Sequence, residues 1–434
     1  MPVEAWLRVR WLLIGWIFVI SAIAYLDRVN VSIAAKAIAT DFHLNYIEFG
    51  WVQSAFVLGY ALFQAPGGRI ADRLGPRIVL TAGVIWWGVF TVLITILPSG
   101  SRSALWLLIA VRFGLGIGEA VVYPASNCIV ASWVPAAERG VANGLIFAGV
   151  GFGAGLTSPL ITYILIHHGW RAAFWCSAAL GLAAGTVWYI LARDTPGGHP
   201  WVSTQEQQEI TAGISGALPT VESHRLSWGE IFGNRDILAV SFSYFTYGYA
   251  AYIFFSWFFV YLNDVRGLNL RDSSHYTMLP FLAMALGSPL GGWISDWITR
   301  RRGKRLGRCG IAVAGIACSA VFIALGTLCD DARVATIILA GGAGALYLSQ
   351  SAFWSVSADI GRRSAGSVSG VMNMGGQFGG ALTASLSPAI ASHFGWSASF
   401  LTAAGLCACG ALAWLFVDPE SNRADRKPTA LKHF

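Results

Sequence analysis

The sequence predicts an all-α membrane protein in which twelve transmembrane helices form two pseudosymmetric six-helix bundles. Three observations carry this expectation. Of 434 residues, 55% are hydrophobic and only 12% charged, with a mean hydropathy of +0.59, whereas soluble domains carry about 25% charged residues. About a dozen apolar runs reach the roughly 20 residues that span a bilayer. Landmarks of the first half return in the second at a nearly constant offset. The runs are continuous rather than alternating, which excludes barrel strands.

The first span, 11–38, follows Arg8 and Arg10 and continues through Tyr25-Leu26-Asp27-Arg28 without an obvious cleavage site. It reads as a retained helix, not a secretory signal. Five more spans follow at 47–71, 77–97, 104–132, 140–166 and 171–192. A polar stretch from Pro196 to Trp228 is too hydrophilic to cross and suits a linker. The second set falls at 236–263, 273–298, 309–328, 333–358, 365–391 and 397–417. The expected organisation is a bundle over 1–195, a central cytoplasmic loop over 196–232, and a bundle with its tail over 233–434.

Basic residues fix the orientation. Of 29, 21 fall on the side of the N-terminus and six on the other, Arg28 and Arg112 lying within spans. The positive-inside rule therefore puts both termini in the cytoplasm. Only four of the 29 are lysines, which points to a GC-rich bacterial genome and hence an inner membrane.

The repeat is specific. Gly68-x-x-x-Asp72 recurs as Gly292-x-x-x-Asp296, 224 residues later. Gly144, Gly149, Phe152, Gly153 and Thr157 recur 226 residues on as Gly370, Gly375, Phe378, Gly379 and Thr383. His167-His-Gly169-Trp170 returns as His393-Phe-Gly395-Trp396. Two six-helix repeats are the architecture of alternating-access carriers, with a substrate site between them near the midplane.

Other classes find no support. The seven cysteines form no CxxC pair and have no metal-spaced histidines, so they read as packing residues. The net charge of +7 belongs to topology determinants, not to nucleic-acid binding. No HExxH, Gly-x-Ser-x-Gly elbow or Walker loop appears, so neither an enzyme nor a cofactor or metal is expected. No filter-like segment suggests a channel. A monomer is expected.

The segment Gly68-Arg-Ile-Ala-Asp72-Arg73-Leu-Gly75-Pro-Arg77 resembles the GxxxDRxGxR loop of the major facilitator superfamily. Tyr25-Leu-Asp27-Arg28-Val-Asn30-Val-Ser32 looks like the first-helix segment of its anion:cation symporter family, which includes sugar-acid transporters, sialin and the vesicular glutamate transporters. Arg112-x6-Glu119 with Tyr123-Pro124-Ala125 is similar to that family's fourth helix. The resemblance implies a major facilitator fold, an organic-anion substrate and, in bacterial members, proton symport. The sugar-acid transporters carry a glutamine after the helix-5 glycine, where this chain has Gly149-Val150. That departure argues against galactonate and toward a less hydroxylated or aromatic carboxylate. A proton-coupled antiporter or efflux carrier of the same fold is the alternative, which two intramembrane arginines disfavour for cationic cargo.

Ionisable groups in a membrane cost about 2.5–3.5 kcal/mol each on insertion scales and mark function. Asp27, Arg28, Arg112 and Glu119 are the four, all in the first half. Arg112 and Glu119 lie two turns apart on one face, whereas Asp27 and Arg28 diverge by about 100° and need partners elsewhere. Asp27 and Glu119 are the expected proton carriers, with Arg112 regulating Glu119. Arg28 is the expected fork for the substrate carboxylate. Tyr25, Tyr60, Trp354, Asn373 and Gln377 are expected to bind substrate beside it, with Asn30, Gln64, Tyr123, Tyr249, Tyr252 and Gln350 as further candidates. Asp72, Arg73 and Arg139 are expected to form a cytoplasmic gate by ion pairs and helix-end electrostatics, joined by Asp359, Arg362 and Arg363.

Overall fold

The computed structural model describes residues 8–44, 46–99, 102–215, 225–258, 261–268 and 270–420. Among these residues the chain makes twelve crossings. The first, α1, is Val9–Ile33, carried on beyond Ala34 by Ala35–Asp41. Then come α2 (Tyr46–Leu74), α3 (Pro76–Ile96) and α4, which is Arg102–Ala120 followed by Val122–Trp133. One unbroken run, Arg139–Leu191, holds α5 and α6 on either side of Gly169. The second half repeats the plan: α7 (Arg235–Ser256), α8 (Leu270–Arg302), α9 (Ile311–Leu328) and α10, which is Ala332–Leu348 followed by Gln350–Gly361. A second run, Ala365–Ala413, holds α11 and α12 on either side of Gly395.

The two repeats of the His-x-Gly-Trp segment make the same turn. Gly169 has φ 80° and ψ 168°, and Gly395 has φ 83° and ψ 161°. An L side chain rarely adopts a positive φ in this region, so glycine closes both hairpins without strain. Trp170 then donates its indole N–H to Asp41 at 2.8 Å, tying this hairpin to the end of α1.

Eight stretches are long and apolar enough to cross a membrane by composition, one of which, Ala332–Phe416, covers three crossings. At the seam between the halves α2 packs on α11 and α5 on α8. Small residues allow this close approach. A Cβ on Gly68 would strike the Gly366 carbonyl, and one on Gly292 would strike the Gly140 carbonyl.

The helices run longer than the hydropathy suggests. Asp72, one residue past the expected end of α2, lies in its final turn, and α8 runs on beyond Asp296 to Arg302. The linker also holds structure. Its helix Thr204–Ser215 presents Glu206, whose carboxylate accepts from the N–H groups of Val9 at 3.2 Å and Arg10 at 3.1 Å. This satisfies orphan donors at the start of α1 and favours the helix dipole. Arg10, 3% exposed, reaches Glu138 at 3.2 Å and Glu209 at 3.7 Å.

Candidate functional site

The four intramembrane charges gather as the sequence suggests, but the pairing differs. Arg28 Nε donates to Glu119 Oε1 at 2.9 Å, joining α1 to α4. Arg112, expected as the partner of Glu119, instead donates from Nη2 to Gln53 Oε1 on α2 at 3.0 Å. Sharing a helix face two turns apart is too distant for direct contact, so Glu119 takes the closer guanidinium across the helix packing. Asp27 accepts from the Thr91 hydroxyl of α3 at 2.9 Å. The ring of Phe56 lies between the arginines, 5.3 Å from the Arg28 guanidinium and 4.6 Å from that of Arg112. Gln53, Phe56 and Thr91 were missed by sequence reasoning. Only the expectation that the adjacent Asp27 and Arg28 seek other helices pointed toward them.

The cluster is buried and incompletely satisfied. Asp27 is 4% exposed, Arg112 4% and Glu119 2%. Arg28 Nη2, Glu119 Oε2, Asp27 Oδ1 and Arg112 Nε have no hydrogen-bond partner among the described residues. Buried charged groups left in this condition are strongly disfavoured. They are suited to exchanging protons or meeting an anion.

Next to the cluster, at the interface of the halves, is a cavity of about 40 Å³. Tyr25, Tyr60, Asn373 and Gln377 line it, as expected, together with Tyr123, Tyr252 and Gln350. Arg28 is not on its wall; the guanidinium lies 4.1 Å from the Tyr60 ring and 4.9 Å from the Tyr25 ring, which are. Asn373 donates to Gln64 Oε1 across the halves at 2.9 Å, and Tyr252 donates to Gln377 Oε1 at 2.7 Å. Trp354 is a correction. It is 1% exposed and sits behind the wall, packed on Phe147 at 4.9 Å, with its indole donating to the Tyr244 hydroxyl at 3.3 Å. Its size favours the core over a lining position. Asn30 bonds Ser177 on α6 at 3.1 Å, and neither it nor Tyr249 lines the cavity. Tyr244, Tyr247 and Tyr347 do line it and were missed. The signal was the tyrosine run 244, 247, 249, 252, whose first two members share a helix face at i, i+3.

At the arginine-rich end the two halves are bonded together. Asp72 accepts from the N–H groups of Gly366 at 2.9 Å and Ser367 at 2.8 Å, and from the Ser367 hydroxyl, at the start of α11. Asp296 does the same at the start of α5, accepting from Gly140 at 2.9 Å and Val141 at 2.6 Å. These donors are themselves related by the 226-residue offset. Each carboxylate meets the positive end of a helix in the opposite half, so the seal rests on helix-end electrostatics. Arg139 pairs with Asp359, which Lys304 also approaches at 3.4 Å. Arg308, fully buried, pairs with Asp296 at 2.6 Å. Arg73 is a correction: it is exposed at the edge of a mouth cavity of about 1250 Å³ and makes no ion pair among the described residues, its place beyond the seam leaving it in water. Among the described residues, every side-chain hydrogen bond between the halves lies between the cavity level and this end.

A family model, Major Facilitator Superfamily, matches residues 17–384 and again 334–434. The chain belongs to that superfamily. It is therefore a membrane transporter and not an enzyme. The chain is 33% identical to the "Probable sulfoacetate transporter SauU" of Cupriavidus necator over 98% of each chain. It is 32% identical to the "Probable anion transporter 1, chloroplastic" of rice, covering 93% of this chain and 76% of that one. The hexuronate transporter of Bacillus subtilis is 28% identical, over 93% and 94%. The fold is shared with the proton:xylose symporter XylE, at a TM-score of 0.74 over 94% of this chain and 96% of that one, with 15% identity. The three sequence relatives are described as transporters of sulfoacetate, anions and hexuronate, which agrees with the symporter family that the first and fourth helices resemble.

Proposed function

We propose that the protein imports a small organic anion by proton symport, alternating between states open to either side of a bacterial inner membrane. The carrying observation is the buried Arg28–Glu119 pair, with Arg28 Nη2 and Glu119 Oε2 both unpartnered. A proton on Glu119 releases Arg28, whose fork then takes the substrate's carboxylate or sulfonate bidentately. When the anion leaves, Glu119 returns to Arg28 and gives up its proton. Substrate and proton thus bind together because they compete for opposite members of one ion pair. Asp27, held by Thr91, is the second proton carrier. Arg112 keeps the field around both acids positive. Tyr25, Tyr60, Asn373 and Gln377 surround the substrate's body.

The arginine-rich end is cytoplasmic on this reading, and Asp72, Asp296 and the Arg139–Asp359 pair form the gate that seals it. Relatives described as carrying sulfoacetate, hexuronate and galactarate or D-glucarate supply the first cargoes to test. Purified protein in sealed liposomes is expected to take up one of these when the outside is made acidic. Arg28→Lys is expected to weaken its binding about 10- to 100-fold despite keeping the charge, since charge-assisted hydrogen bonds contribute about 1.5–3 kcal/mol. Unchanged affinity in calorimetry at fixed pH would remove Arg28 from the site.

A further inference from the structure

We propose that Tyr244 is the second pole of the substrate site, so that the carrier selects compact anions with a hydrogen-bond acceptor at each end. This rests on the reading of Arg28 as the anion's first contact. Tyr244 lies on α7 in the wall of the central cavity. Its phenol oxygen accepts from Gln350 Nε2 at 3.0 Å and from Trp354 Nε1 at 3.3 Å. A phenol has one proton to donate and at most two acceptor positions, and both positions are in use. The other contact recorded for its proton is Gln350 Oε1 at 3.5 Å, far beyond the usual 2.7–2.8 Å or so of a good O–H···O bond. The two donors therefore hold the oxygen in place and leave the O–H for a ligand.

The ring is fixed as firmly as the oxygen. It stacks on Tyr247 at 5.1 Å with 4° between the planes, and meets Phe353 edge-on at 4.8 Å. Gln350 and Trp354, four residues apart on the second segment of α10, present their donors from one helix face. Of the other hydroxyls on the wall, that of Tyr252 donates to Gln377 and that of Tyr123 shares a hydrogen bond of 2.9 Å with Ser21, while that of Tyr247 is buried with no partner among the described residues and no such pair of donors to aim it.

No charged side chain lines the cavity. A ligand's far end therefore meets a phenol, which favours a carboxylate, sulfonate or hydroxyl oxygen over a methyl group. A volume of about 40 Å³ holds roughly three water-sized probes, which suits a chain of a few atoms. Ala251, Phe255 and Val150 add apolar wall between the polar groups, and the small volume leaves no room for a long polyol.

The test uses full-length protein in nanodiscs and calorimetric titration with four probes: malonate and succinate, with propionate and butyrate as analogues of matched length lacking the second acceptor. The wild type is expected to prefer each dicarboxylate over its analogue. Tyr244→Phe keeps the stacked ring and should weaken succinate binding about tenfold, the cost of one hydrogen bond to a charged group, while leaving butyrate unchanged. Gln350→Leu keeps the phenol but frees it to turn, and should lose part of the same preference. Equal succinate affinity in wild type and Tyr244→Phe overturns the proposal, as does a wild type that binds neither dicarboxylate or prefers butyrate. Arg28→Lys, measured in parallel, separates the two claims. If it abolishes binding while Tyr244→Phe does not, only the second pole fails; if it changes nothing, the reading of the site fails beneath it.

Discussion

At the scale of single residues, the site depends on which carboxylate meets which guanidinium. Glu119 is tied to Arg28, whereas Asp27 is held by a neutral hydroxyl. The two acids therefore differ in what their protonation releases. Asp27→Asn removes a charge but leaves the Arg28–Glu119 pair standing, so it is expected to slow transport with substrate affinity within about threefold of wild type. Thr91→Val tests the same arrangement from the other side. Loss of the only hydrogen bond to Asp27 among the described residues leaves a buried carboxylate unsatisfied, at about 1–3 kcal/mol, and should lower the unfolding midpoint by several degrees. An unchanged midpoint in a thermal melt would show that Asp27 does not depend on Thr91. All four charges were legible in the sequence because ionisable residues stand out in apolar runs. Their partners were not, because pairing depends on helix rotation and neighbour order, and a single chain's periodicity fixes neither.

Among the elements, α2 and α11 make the seam that the account treats as a gate. Cys128 gives it a native reporter, since its thiol is 9% exposed and lies 3.4 Å from Asp72 Oδ1. With the other six cysteines replaced by serine, Asp72→Asn is expected to raise Cys128 labelling by a soluble maleimide several-fold. An amide offers one acceptor oxygen where the carboxylate serves four donors, the Cys128 thiol among them, and loses the charge that faces the α11 dipole. Substrate affinity should survive, because the gate lies away from the Arg28 cluster. Labelling no faster than in the parent would mean that Asp72 does not hold the seam. Gly68→Leu should act more strongly, because its side chain would meet the Gly366 carbonyl. The sequence repeat made Asp72 and Asp296 visible as counterparts, and the His-x-Gly-Trp copies marked both hairpins. Arg73 was misjudged because adjacency to Asp72 in a motif says nothing about which of the two faces the seam.

Across the whole molecule, twelve crossings and their twofold repeat followed from hydropathy and spacing, since lipid demands long apolar helices and leaves little alternative. The asymmetry between ends could not be read that way. Both conformers of a rocking carrier share one sequence, and the inter-half bonds choose between them only in three dimensions. On the proposed mechanism Glu119 couples proton entry to substrate entry by releasing Arg28. The direct measurement is uptake of labelled substrate into sealed liposomes containing Glu119→Gln, with a pH gradient as the only driving force, beside exchange of internal for external substrate at equal pH. Glutamine imitates the protonated acid, so the loaded carrier should still reorient and exchange should persist. Net accumulation should fall to the level of empty liposomes. If the variant accumulates substrate as wild type does, Glu119 is a structural acid and the coupling assigned to its pair with Arg28 is wrong.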